Sequence, residues 1–100
     1  MKQITAKSLK QLIDAKVDFQ LIDVREEHEY EEANLKGQLI PMGDIMDRVS
    51  EIARDKQVVI HCRSGARSAT VINALEQQHG FDNLYNLQGG ILAYINEFGL

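Results

Sequence analysis

Two short runs constrain this chain more than anything else in it: FQLIDV at 19–24 and VVIHC at 58–62. Both are apolar on successive positions where a half-wet strand would alternate, and the second is rich in β-branched side chains. Such runs predict strands covered on both faces, which is the condition of central strands in a parallel sheet. Helical spacing surrounds them, over Ser8–Ala15, Glu26–Ala33, Gly43–Ala53, Arg67–His79 and Gly90–Phe98. This alternation predicts an open α/β sheet. Further strand candidates lie at Leu39–Ile40, Leu84–Leu87 and Ile4–Thr5. One hundred residues, 44% of them apolar, supply one continuous core and too little for two, so a single domain over 1–100 is expected. Pro41 is the only proline, and no repeat or low-complexity tract interrupts the elements.

The second run leads into HCRSGARS at 61–68, which holds the only cysteine. A lone cysteine forms no internal disulfide, no C-x-x-C redox pair and no multi-cysteine metal site, so no metal or cofactor is implied. In open α/β sheets ligands gather beyond the carboxyl ends of strands, where the next helix offers free backbone N–H groups. Cys62 falls at that edge. The helix beyond it is expected to begin near Ala66–Ser68, carry an apolar stripe of Val71, Ile72 and Leu75, and stop at Gly80. A helix N-terminus and nearby arginines both lower a thiol pKa, and Arg63 and Arg67 are at hand. Gly65 frees the loop to turn successive amides inward, and Ser64 and Ser68 can donate hydroxyls or cap the helix. A cysteine after a β-branched strand can also be a small core residue. Two arginines within five positions favour a nucleophile in an anion nest instead, and the phosphate-loop pattern G-x-x-x-x-G-K-[ST] is missing.

Other residues are expected to be structural. His61 points to the opposite side of its strand from Cys62 and is read as a packing or supporting group. His28 and His79 fall on exposed helix faces. The five glutamates between Glu26 and Glu32 are read as a solvated helix face. Net charge is −4 with the basic residues scattered, which disfavours nucleic acid as a partner. The N-terminal MKQITAKSLKQLIDAK is neither a signal-peptide core nor a membrane span, so no membrane association is expected and a cytoplasmic location is.

The runs LIDVREEHEYEEANLKGQLIPMGDI at 21–45, VVIHCRSGARSA at 58–69 and NLYNLQGGILAYI at 83–95 together resemble the single-domain rhodanese family of sulfurtransferases. The D-V-R triplet with a following E-Y, the C-R-S-G-x-R-S loop and the L-x-G-G turn occur in the family's order. The resemblance implies a three-layer α/β/α fold with a five-stranded, mainly parallel sheet and helices on both faces. It further implies that Cys62 takes a sulfane sulfur from a donor such as thiosulfate, holds it as a persulfide and passes it to a thiol or cyanide acceptor. The amides of Arg63, Ser64, Gly65, Ala66, Arg67 and Ser68 would stabilise the outer sulfur, and Arg63 and Arg67 would attract an anionic donor. The implied partners are a small anionic sulfur donor and a thiol acceptor or sulfur-relay protein. Asp23 and Arg25 also match and stand near the site; a pairing of Arg25 with Glu29 at the strand-to-helix corner is expected. Gly89 and Gly90 read as a tight turn with no chemistry attached. ANLKGQLIP at 33–41 departs from the family's usual G-H-I-P-G-A run and leaves the register of the third strand open.

Cysteine-dependent phosphatases and arsenate reductases resemble the same loop, but with C-x5-R spacing. Here Cys62 and Arg67 stand in C-x4-R spacing, which tightens the ring of amides by one Cα step of about 3.8 Å. One terminal sulfur needs a smaller concavity than a tetrahedral phosphoryl group, so the short loop favours sulfur. A sulfur-relay or redox-sensing module would use the same Cys62 and the same nest.

Overall fold

The computed structural model describes residues 1–100. Five strands, β1 (Lys2–Ile4), β2 (Gln20–Asp23), β3 (Gln38–Leu39), β4 (Val58–His61) and β5 (Leu84–Leu87), are interleaved with four helices. These are α1 (Ala6–Asp14), α2 (Glu27–Glu32), α3 (Ala66–His79) and α4 (Gly90–Phe98). The sheet runs β1-β5-β4-β2-β3 with every pairing parallel. The expected α/β fold with a five-stranded parallel sheet is therefore observed, with β2 and β4 inside it.

Side-chain alternation along β4 explains why both of its faces are apolar. Val58 and Ile60 join Ile22, Val24, Val71, Ile72 and Leu75 under α3, whereas Val59 joins Leu9 of α1 and Tyr94 of α4 on the other face. Val58, Val59 and Ile60 are fully buried. At roughly 1.5–3 kcal/mol for each such side chain, this strand anchors the residues that follow it.

Two local expectations change. The segment 43–53 forms no α-helix but two 3₁₀ turns, Ile45–Asp47 and Val49–Glu51. Its apolar spacing still buries Ile45 and Ile52. Asp44, Asp47 and Ser50 are poor in helix interiors, and the chain closes with tight bonds such as Asp47 N–H to Asp44 O (3.0 Å) and Ile52 N–H to Val49 O (3.0 Å). The register left open at 33–41 places Gln38 opposite Ile22 and Leu39 opposite Asp23. The ladder continues past β3, because Ile40 N–H donates to Asp23 O (2.9 Å) and Met42 N–H to Val24 O (3.0 Å). No helix is long and apolar enough to cross a membrane.

Candidate active site

Cys62 is the first residue beyond β4, and α3 starts four residues later at Ala66. Between them Gly65 takes φ = +109°, a conformation that side chains with a Cβ rarely adopt. That reversal turns its own amide back toward the sulfur. Cys62 Sγ receives the Gly65 N–H at 3.1 Å and the Ser68 N–H at 3.5 Å, and it lies 3.4 Å from Ser68 Oγ. The residue is 1% exposed and its carbon atoms belong to the core beneath α3. Its sulfur nevertheless faces polar donors, which distinguishes it from a cysteine that only fills space.

Burial is the largest influence on this thiol and opposes ionisation. The Ser68 hydroxyl and the amides of Ser68, Gly65 and Ser64 outweigh it, so the pKa lies below the usual thiol value. The sequence reading assigned part of this effect to arginine. Hydroxyl and amides contribute most, and the charge of Arg67 adds a smaller attraction.

The loop is held from outside by two elements. From β5, Asn86 Nδ2 donates to Gly65 O (3.1 Å) while its Oδ1 receives the Ser68 hydroxyl (2.6 Å). From α4, the amides of Ile91 and Leu92 donate to Cys62 O (3.0 Å) and Arg63 O (3.1 Å). The loop carbonyls are thereby drawn to the start of α4, leaving amides to face the sulfur. Gly90 makes the approach possible, since a Cβ there would sit 2.3 Å from Arg63 O. The turn at Gly89 and Gly90, to which the sequence reading attached no chemistry, is thus the floor on which the loop rests.

The charged residues pair differently from expectation. Arg25 does not pair with the Glu29 carboxylate: its Nε and Nη2 bond both oxygens of Asp23 (2.8–3.1 Å), and both residues are buried. It still fixes the corner, because Nη2 also donates to Ala33 O (2.7 Å), just past α2, and Nη1 to Glu29 O (3.3 Å) within it. Nor is Glu29 part of a solvated face. Its two oxygens receive Arg67 Nη1 (2.7 Å) and Nη2 (2.9 Å) in a bidentate pair. With Arg67 as the main cause, its pKa falls to about 2. Arg67 therefore presents an occupied fork rather than a free guanidinium. Arg63 is exposed, with Ser64 and Ala66 also on the outer surface of the loop.

His61 is fully buried beside Asp23, its neighbour across the β2–β4 pairing. Its Nε2 lies 3.7 Å from Asp23 Oδ2 without a hydrogen bond, and Nδ1 lies 3.3 Å from Cys62 O. Burial lowers its pKa, keeping the ring neutral. It contacts the Cys62 backbone and not the sulfur, as a supporting group would. Three residues at the site escaped the sequence reading: Asn86, Gly90 and Glu29. Glu29 and Gly90 carried local signals, as the acid of the E-Y pair that follows D-V-R and as the last residue of the L-x-G-G turn, whereas Asn86 carried none.

A family model described as rhodanese-like domain matches residues 5–97. A protein of Allochromatium vinosum named sulfurtransferase is 40% identical over 95 residues, covering 94% of this chain and 88% of that one. Among solved structures, a rhodanese-like domain protein from Staphylococcus aureus superposes with a TM-score of 0.85 at 32% identity, covering 94% of this chain and 91% of that one. A rhodanese-related protein from Thermoplasma volcanium does so with a TM-score of 0.84 at 28% identity, covering 98% and 94%.

Proposed function

This chain belongs to the rhodanese-like domain family, and from that premise we propose that it carries a sulfane sulfur on Cys62. The observation that supports this most directly is the convergence of the Gly65 and Ser68 amides on a single sulfur atom, with the Ser68 hydroxyl oxygen beside it. In the loading step the Cys62 thiolate attacks the outer sulfur of a donor such as thiosulfate. The donor's S–S bond breaks, sulfite leaves with the electron pair, and a new S–S bond leaves Cys62 as a persulfide anion. A thiolate or cyanide then attacks the outer sulfur, forming an acceptor persulfide or thiocyanate and returning the Cys62 thiolate. One neutral sulfur atom moves in each step, so no external oxidant or reductant enters.

The site's residues divide this work. Amides of Ser64, Gly65 and Ser68, which favour the thiolate in the resting protein, are placed to favour the persulfide anion by the same dipoles. Arg63 lies at the loop surface where an anionic donor arrives and sulfite departs. Ala66 and Arg67 contribute the first turn of α3. Asp23, Arg25 and His61 act through the backbone, by holding the corner after β2 and the end of β4.

The test is incubation of the purified protein with thiosulfate, followed by intact mass measurement. An added mass of one sulfur atom is expected on the wild-type protein and none on Cys62→Ala. An adduct that persists in the Cys62→Ala variant refutes the assignment.

A further inference from the structure

Beside the loop, α2 and α4 enclose a cavity of about 450 Å³. Its charged lining includes Arg25, Arg63, Glu29 and Glu32, and Ile91, Leu92 and Ile95 of α4 give it an apolar floor. Leu92 is 45% exposed there. A mouth built to concentrate a small dianion would carry surplus positive charge. This one does not. Its two guanidiniums, Arg25 and Arg63, stand against the two carboxylates Glu29 and Glu32, and Arg25 is already held in bidentate fashion by Asp23. The fork of Arg67, which would clasp two oxygens of a donor, is filled by the two oxygens of Glu29.

We infer that Glu29 determines donor selectivity: its carboxylate, which lines the cavity and occupies the fork of the neighbouring Arg67, selects against dianionic donors and in favour of organic persulfides whose carbon chain rests on Ile91, Leu92 and Ile95. The inference rests on the reading of Cys62 as a sulfur carrier. The persulfide group carries at most one charge, on the sulfur to be delivered, and an uncharged carbon substituent gains from an apolar floor that thiosulfate cannot use. The Cys62 thiolate attacks the outer sulfur of R–S–SH, the donor S–S bond breaks, and R–S⁻ leaves with the electron pair while the Cys62 persulfide keeps the proton.

The experiment compares the rates at which thiosulfate and 2-hydroxyethyl persulfide load sulfur onto Cys62, read by intact mass. In Glu29→Gln the thiosulfate-to-persulfide rate ratio should rise at least about threefold over wild type. That figure corresponds to one unit charge acting on one additional donor charge at about 6 Å through water. Gln keeps an oxygen to accept the Glu26 N–H, as Glu29 does at 3.0 Å, so the start of α2 is preserved. Glu32→Gln removes the same charge without freeing a fork and should raise the ratio less. Glu29→Asp, which withdraws the carboxylate from Arg67 while keeping its charge, provides a second folded variant in which the ratio should also rise. An unchanged ratio in the folded Glu29 variants, or an equal rise in Glu32→Gln, overturns the role of Glu29. Failure of wild type to load sulfur from either donor would instead overturn the sulfur-carrier reading itself.

Discussion

Replacing Gly90 by alanine tests whether the loop geometry is set by the helix beneath it. A Cβ at this position would lie 2.3 Å from Arg63 O, 2.4 Å from Arg63 C and 2.7 Å from Ser64 N. Real Cβ contacts essentially never fall under 3.0 Å, so loop and helix must part by at least about 0.7 Å, the difference between 3.0 and 2.3 Å. The obstacle is backbone on both sides, so no side chain can rotate away. Two penalties add: about 1–2 kcal/mol for a left-handed residue with a Cβ at φ = +61°, and about 1–3 kcal/mol for the overlap.

Other glycines separate these terms. Gly80 shares the left-handed conformation (φ = +68°) but has open space around it, and Gly43 has open space without a left-handed φ. Urea denaturation should therefore rank Gly43→Ala as near neutral, Gly80→Ala as losing about 1–2 kcal/mol, and Gly90→Ala as losing about 2–5 kcal/mol. Sulfur loading of Cys62 should fall on the order of tenfold to a hundredfold in Gly90→Ala, because a displacement near 1 Å spoils a pre-aligned site. It should be unaffected in Gly80→Ala, at the far end of α3. A Gly90→Ala protein that matches Gly80→Ala in stability and loads sulfur at the wild-type rate would refute the claim that α4 supports the loop.

Three further outcomes follow from the contacts. Ser68→Ala removes the hydroxyl that lies 3.4 Å from the Cys62 sulfur and whose single proton the thiolate shares with Asn86 Oδ1. The pH at which iodoacetamide alkylation of Cys62 rises should move upward, with a loss of about 1–3 kcal/mol in stability; an unmoved profile would assign the low thiol pKa to the amides alone. Asp23→Asn deprives the buried Arg25 of its charged partner and should lower stability by about 3–5 kcal/mol in denaturant titration, whereas a loss under about 1 kcal/mol would contradict a buried pair. The acid limb of the stability curve should show two steps. His61, with a folded pKa below its ordinary value, contributes stability that is complete above about pH 6.5 and declines as pH falls, so His61→Phe should flatten the curve there. Glu29 contributes stability that is complete above the ordinary carboxylate pKa near 4.3 and is lost as pH falls toward about 2, so a Glu29→Gln curve of unaltered slope in that window would argue against the Arg67 pair.

Much of this molecule is written locally. The unalternating runs at 19–24 and 58–62 dictate buried strands because an apolar residue on each face must find cover on each face, and β2 and β4 lie inside the sheet with helices on both sides. The place of Cys62 was equally legible, since a strand end followed by a glycine and a helical stripe leaves the cysteine next to free amides. The segment 43–53 shows where periodicity stops short. Its apolar residues reach the core as the spacing requires, but spacing alone does not tell an α-helix from successive 3₁₀ turns.

Sequence alone thus determined the parallel α/β architecture and the position of the thiol at its edge, because covalent order and side-chain periodicity act over a few residues. Tertiary structure alone decided which carboxylate each arginine holds. Arg25 had Glu29 nearby in the chain and bonds Asp23 instead, while Glu29 reaches Arg67 from 38 positions away. It also decided that Asn86 and Gly90 would support the loop that follows Cys62. Ion pairing and backbone clearance depend on distances of a few ångströms between elements remote in the chain, and only the packed sheet and helices establish those distances.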